Sequence, residues 1–144
     1  MQKLLIIVLL FTGYQCSIAQ KLLTWEALTD VKFTLHFSPE LGMEVTEASF
    51  GESLKALKDQ QVMLKGFMIP LDPLSTKYVL SRYPMANCFF CGQAGPETVV
   101  ELRLHPKSIR RYPMDEVQTF KGYLRLNEKD ASALHYIIEE AEKM

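Results

Sequence analysis

Cys88-Phe89-Phe90-Cys91-Gly92 is the segment of this chain whose residue types and spacing are best suited to chemistry. Two thiols three positions apart can reach one point across a tight turn, and the glycine after the second lets the backbone fold beneath a bound ion. Thiolates are soft donors, so the ions implied are Zn or Cu, at about 2.3 Å from sulfur. A tetrahedral site needs two further ligands, for which the candidates are His105, His36, His135 and a carboxylate such as Glu97. His105 is the expected third ligand because it ends the strand that follows the loop. That expectation requires a strongly bent sheet, since a strand of about seven residues otherwise carries its far end about 20 Å away.

The same thiols support two other readings. A thiol-disulfide enzyme of the thioredoxin kind places its cysteine pair at the N-terminus of a helix, whose dipole lowers the first thiol's pKa. Here Gly92-Gln93-Ala94-Gly95-Pro96 and then a Val-rich strand follow, so no helix is expected to activate Cys88. A disulfide that only staples the loop of an interaction module is the other alternative. A c-type haem site is excluded, because Gly92 rather than His follows Cys91. No Ser/His/Asp set, paired-carboxylate motif or phosphate loop is found, so the leading expectation is a non-enzymatic metal-binding domain. Phe89 and Phe90 at the tip of the turn cannot both point into one core, and one of them is expected to contact an envelope protein partner. His36 is expected to be solvated on a polar strand face, and His135 to pair with Glu139 one helical turn later. Arg110-Arg111-Tyr112 could contact an anion or simply form a solvated loop.

The compartment bears on these thiols. Lys3, the apolar run of residues 4–11 and the small residues Ser17-Ile18-Ala19 read as a secretory signal spanning residues 1–19, cleaved after Ala19. A membrane anchor needs roughly 17 to 25 apolar residues, and Gly13, Gln15 and Ser17 interrupt the run too early. Cys16 as a lipid-attachment site is a minor reading, because bulky Tyr14 and polar Gln15 precede it. Cleavage removes Cys16 and leaves Cys88 and Cys91 in an oxidising compartment, the periplasm or cell envelope, on a single exported domain of residues 20–144. The chain's net charge of -1 gives no drive toward nucleic acid or an anionic membrane. With 48% hydrophobic and 23% charged residues, it has the composition of a folded domain.

The elements that must hold the loop follow from periodicity. Residues 24–28 read as a short capped helical turn with Trp25 and Leu28 on one side. Val31, Phe33, Leu35 and Phe37 alternate with polar residues as in a half-buried strand. Ser49 and Glu52 have capping-box spacing before a short helix with Leu54 and Leu57 on its apolar side. Strands are expected over residues 61–69, with a bulge or bend at Gly66 and closure by Pro70 and Pro73, and over residues 77–83, 98–104 and 117–126, the last curving at Gly122. Residues 61–69 are expected to pair antiparallel with 77–83. A C-terminal helix over residues 130–143, with Asn127 as a candidate N-cap, is read from Leu134, Ile137, Ile138 and Ala141. The fold class expected is mainly β with α: a small curved antiparallel sheet or partly open OB-like barrel, with a short helix before the sheet and a C-terminal helix.

Val62-Met63-Leu64-Lys65-Gly66-Phe67-Met68-Ile69-Pro70-Leu71, followed by Tyr78-Val79-Leu80 and the cysteine segment, resembles a family of exported bacterial proteins catalogued as a domain of unknown function. The resemblance runs from about Trp25 to Leu126. Many members of that family carry a Cys-x-His and a proline run where this chain has its second thiol. Cysteine and histidine share metal ligation above other properties, so the exchange favours a metal site. The resemblance implies no activity.

Overall fold

The computed structural model describes residues 21–144 apart from Pro73, Ser75, Thr76 and Gln93. The signal segment with Cys16, and the expected strand closure at Pro73, lie outside the described residues. The described residues form eight strands and one α-helix: β1 (Lys21–Leu22), β2 (Val31–Ser38), β3 (Met43–Phe50), α1 (Glu52–Leu57), β4 (Gln61–Pro70), β5 (Tyr78–Ser81), β6 (Val99–Leu104), β7 (Val117–Leu126) and β8 (Tyr136–Lys143).

Five of these strands close into a barrel. β4 pairs with β5, β5 with β6, β6 with β8, β8 with β7, and β7 returns to β4. All these pairings are antiparallel except β6–β8, which is parallel, with Leu102 opposite Ile138. The expected β4–β5 pairing is present, Phe67 facing Ser81 and Ile69 facing Val79. β1 adds in parallel to β4, and β2–β3 form a separate hairpin with Val31 opposite Phe50 and Ser38 opposite Met43. Among the described residues no helix is long and apolar enough to cross a membrane.

The interior is a shared core. Leu28, Phe50 and Leu54 pack with Val62, Leu64, Leu80, Val100, Phe120, Leu124 and Ile138. Its buried phenols all find partners, which burial requires. Tyr78 Oη accepts from the Tyr112 amide at 3.0 Å, Tyr112 Oη donates to Ser108 O at 2.8 Å, and Tyr136 Oη donates to Leu28 O at 2.7 Å.

The expected C-terminal helix is corrected to strand β8. Tyr136, Ile138 and Ala141 are all buried, but β8 carries an extra residue opposite Gly122. Leu124 faces Ile138 and Tyr123 faces Glu139, whereas Lys121 faces Glu142. Glu140 absorbs the insertion with φ 51°. A bulge of this kind moves the next inward residue from i+2 to i+3, so Ile138 and Ala141 mimic helical spacing. Gly122 permits the fit: a Cβ there would lie 2.4 Å from Glu139 O and 2.5 Å from Ile138 Cγ2.

Three smaller expectations are also revised. Gly66 sits in unbroken register opposite Gln118 and makes no bulge against β7. It is required because Ser81 O and Trp25 Cζ2 pass 2.7 and 2.8 Å from where its Cβ would stand, while Trp25 Nε1 donates to Lys65 O at 2.8 Å. Helix α1 forms where expected, but its N-cap is Gly51 and Ser49 lies in β3. The Asp30 carboxylate accepts from the Ser53 amide at 3.2 Å and from its hydroxyl, supplying the cap from a distant part of the chain. Asn127 caps no helix; its side-chain amide donates to the carbonyls of Asp130, Ala133 and Leu134 and braces the β7–β8 connection.

Candidate functional site

The cysteine segment lies between β5 and β6 as two successive 3-10 turns, Met85–Asn87 and Phe89–Cys91. Cys88 between them is extended, with φ -87° and ψ 177°. The Cys88 amide donates to Met85 O at 3.4 Å, the Cys91 amide to Cys88 O at 3.1 Å and the Gly92 amide to Phe89 O at 2.9 Å. Gly92 ends the second turn in the left-handed region at φ 70°, a conformation that favours glycine. The loop is tied to the body of the molecule by the Met85 amide, which donates to Asp115 Oδ1 at 2.7 Å.

Inside these turns three sulfur atoms come together. Cys88 is fully buried against Ile69 and Val79 on the outer face of β4 and β5, with Met85 and Leu134 around it. Its thiol donates to Met85 Sδ at 3.8 Å, and the exposed Cys91 thiol donates to Met85 O at 3.0 Å. Both thiols are free in the structure. Desolvation, followed by the charge and hydrogen bonding of the adjoining Cys88, pushes the Cys91 thiol above its ordinary value. That shift falls on the second thiol of the pair, whereas redox activation is a lowered pKa of the first, so it does not decide between a redox and a metal role. Met85 is the residue that sequence reasoning missed. The only signal was its position, three residues before Cys88 and behind Pro84, and a methionine there reads as ordinary packing.

His105 is not brought to the cysteines. It caps the 3-10 turn Pro106–Ser108 beyond the end of β6, with Nδ1 accepting from the Lys107 amide at 3.2 Å. Its ring lies between two carboxylates of β8, Nε2 3.8 Å from Glu140 and Nδ1 3.5 Å from Glu142. Cys88 packs at the level of Val79, which pairs with Glu101, and His105 lies four residues further along and past the end of β6, about 13 Å along the strand direction. The barrel's curvature does not remove that distance: among the described residues no group of three or more His, Cys, Asp or Glu side chains gathers as a metal-ligand cluster.

The remaining candidates lie elsewhere too. His36 is half-exposed on the hairpin, 3.7 Å from Glu47. His135 makes no helical pair with Glu139, since the segment is not a helix. Its Nδ1 lies 2.9 Å from Asn127 O, and its ring rests 5.1 Å from that of Phe33. Glu97 folds back beside Gly95. The two aromatics of the loop divide as steric reasoning requires. Phe89 is half-buried in a cleft with Met43, Val45, Pro96 and Leu134, while Phe90 is 42% exposed, its ring edge-on to Phe89 at 5.4 Å.

No protein-family model and no curated protein matches the chain. Among solved structures it is similar to the crystal structure of a DUF3299 family protein from Pseudomonas aeruginosa PAO1, determined at 2.45 Å resolution. The superposition has a TM-score of 0.54 at 15% sequence identity and covers 88% of this chain and 97% of the Pseudomonas chain. This structural match is to a bacterial domain of unknown function, in agreement with the family resemblance carried by the residues from Val62 to Leu71. At this level of identity the likeness is one of fold.

Proposed function

We propose that this chain is an exported, non-enzymatic domain of the periplasm or cell envelope that binds a soft metal ion through Cys88 and Cys91, with Met85 as third donor in place of His105. The observation that carries the reading is the approach of Met85 Sδ to Cys88 Sγ at 3.8 Å, with the Cys91 thiol beside them. Two thiolates and a thioether suit cuprous copper, whereas zinc in a closed site asks for four N or S ligands. The pair opens only the 3-10 turn Phe89–Cys91 and no α-helix whose dipole would activate Cys88, which favours this reading over a thioredoxin-like thiol-disulfide enzyme, and Phe90 remains the proposed contact for an envelope partner. The barrel we read as OB-like, its third and fifth strands closing in parallel. That architecture hosts many functions and adds no activity of its own.

Competition of the reduced, purified chain against a chromophoric cuprous chelator tests the reading. One Cu(I) per chain is expected to bind, with zinc much weaker, and Met85→Leu is expected to weaken Cu(I) by about tenfold, or 1.4 kcal/mol. Tighter binding of zinc would overturn the assignment of the donor set. Failure to bind either ion, with Cys88 and Cys91 joined in protein isolated from the envelope, would leave the disulfide-stapled interaction module. A reversible dithiol that exchanges electrons with a glutathione buffer and binds no metal would leave the redox reading.

A further inference from the structure

A groove of about 840 Å³ runs along the outside of β5 and β6 and touches none of the three sulfur-bearing residues. Its size falls within the range of small-molecule sites, roughly 300 to 1,000 Å³. Leu71, Leu104, Ile109 and Leu134 supply apolar wall. Three of the large apolar side chains that the fold leaves exposed stand at its edges, Leu71 at 42%, Leu74 at 83% and Ile109 at 70%. Single exposed apolar residues need no explanation, but a cluster of them around one concavity marks a place where something apolar binds.

The charges are distributed unevenly along this groove. Lys77, immediately before β5, and Arg110 and Arg111, past the end of β6, line the same end, because Tyr78 pairs with Leu102 there. Beside Lys77 the Asp72 carboxylate accepts from its backbone amide at 3.4 Å, whereas no ion pair engages Arg110 or Arg111 among the described residues, and Arg110 lies with its guanidinium 4.7 Å from the centre of the Tyr112 ring. In the middle of the wall Arg103 is neutralised by Glu101 at 3.1 Å and Glu139 at 2.8 Å, and Glu101 also accepts from the Leu134 amide at 3.1 Å. The far end is formed by Ala131, Ser132, Ala133 and Leu134, which carry no charge. The groove is therefore cationic at one end, compensated in the middle and neutral at the other. The chain as a whole has net charge -1, so this concentration of cations is local.

We propose that the groove binds a long-chain fatty acid, its carboxylate held by Arg110 and Arg111 with Lys77 beside them, and its alkyl chain laid along β6 toward Leu134. Charge complementarity selects this occupant. A neutral apolar segment would cover the wall but leave Arg110 and Arg111 without a counter-charge, whereas a carboxylate at the head of an alkyl chain satisfies both features. Guanidinium groups meet a carboxylate through paired N–H donors, which fixes the head group in register. The groove follows four residues of β6, Glu101 to Leu104, about 13 Å along the strand, so it covers the carboxyl-proximal part of an extended alkyl chain and leaves the rest to run on past Leu134. The inference is independent of the metal reading, since no cysteine lines the groove.

The test is displacement of a fluorescent polyene fatty acid from the purified chain by palmitate, below the concentration at which palmitate aggregates. Saturable binding at one site per chain is expected. The uncharged alcohol of the same chain length should compete about tenfold less well, and the double variant R110E/R111E should weaken palmitate by a similar factor. Ile109→Asp should also weaken palmitate, with an unchanged thermal unfolding midpoint showing that the barrel is intact. Absence of saturable binding overturns the proposal. So does equal binding of acid and alcohol that is insensitive to R110E/R111E, because the groove would then be only an apolar surface. A concentration-dependent dimer dispersed by Ile109→Asp would overturn it as well, assigning the groove to a second copy of the chain.

Discussion

At the start of β6 the chain gathers Met85, Cys88 and Cys91, one thiol fully buried and the other open to solvent. At the end of the same strand it gathers His105 with Glu140, Glu142 and Lys121, all joined by ionic contacts within 3.8 Å. Both ends hold residue types that ligate metals, yet they have different chemistry. The first end is poor in charge and rich in polarisable sulfur. The second is a partly exposed charge network in which the imidazole Nδ1 already accepts a backbone hydrogen bond. A ligand set is chosen by which residues the fold brings together, and the four residues from Glu101 to His105 are enough to remove an imidazole from a pair of thiols. The comparison also gives the ends different sensitivities. Packing at the thiol end depends on burying Cys88, whereas the histidine end rests on partly exposed ionic contacts.

The barrel wall that separates the two ends offers the most damaging way to break this arrangement. Ile138 is fully buried, opposite Leu102 of β6 and Leu124 of β7. Ile138→Ala should lower unfolding free energy by about 2 to 4 kcal/mol, the cost of a cavity in a core that cannot collapse around it. Denaturant unfolding measures it, and a loss below roughly 0.5 kcal/mol would mean that β8 is not packed as described. A smaller effect sharpens the contrast between the two thiols. Cys88→Ser places a hydroxyl among Ile69, Val79 and Met85 and should cost about 1 to 3 kcal/mol in reduced, metal-free protein. Cys91→Ser, at an exposed position, should stay within about 0.5 kcal/mol. Equal losses would contradict the burial difference. In the Cu(I) competition, His105→Ala should change affinity by less than about twofold, because its ring belongs to the other end.

Much of this architecture was legible in the chain, for reasons that can be stated residue by residue. β7 alternates, with Phe120 and Leu124 buried, and period-2 patterning is the direct signature of a strand with one buried face; β4 alternates only weakly, Met68 and Ile69 both being buried, and stood out by its run of large apolar residues. The C-x-x-C-G turn and the short helix at Leu54 also stood out locally. β8 did not, because the bulge at Glu140 turned its inward spacing from two to three. Ile137 blurred the alternation further, being 5% exposed although it neighbours two inward residues. The cap of α1 was invisible because Asp30 reaches Ser53 across 23 positions of sequence. Met85 was hidden by being an ordinary apolar residue. The cationic end of the groove was half visible in Arg110-Arg111-Tyr112, but the groove itself exists only once residues near 74, 109 and 134 meet, and no local pattern encodes that meeting.

The smallest expected effect separates the two ends by pH. At the histidine end the Lys121 ammonium, hydrogen-bonded to Glu142 at 3.1 Å, holds that carboxyl below its ordinary value of 4.5, with the charges of Lys121, His105 and Lys107 acting in the same direction against a smaller desolvation penalty. A carboxylate whose pKa is depressed by folding contributes stability that is fully present above its unfolded value and is lost as pH falls through its folded value. At the sulfur end the sign is opposite. Folding raises the Cys91 thiol above its ordinary 9.0, so its contribution is complete below pH 9.0 and is lost as pH climbs through the folded value. Measured on reduced, metal-free protein, Glu142→Gln should flatten part of the acid limb of the stability profile and leave the alkaline limb alone. Cys91→Ser should do the reverse. Added Cu(I) should oppose the alkaline trend, since metal displaces the thiol protons and its affinity increases with pH. A single variant that altered both limbs would show that the two ends of β6 are electrostatically coupled, and the separation argued from the strand's length would fail.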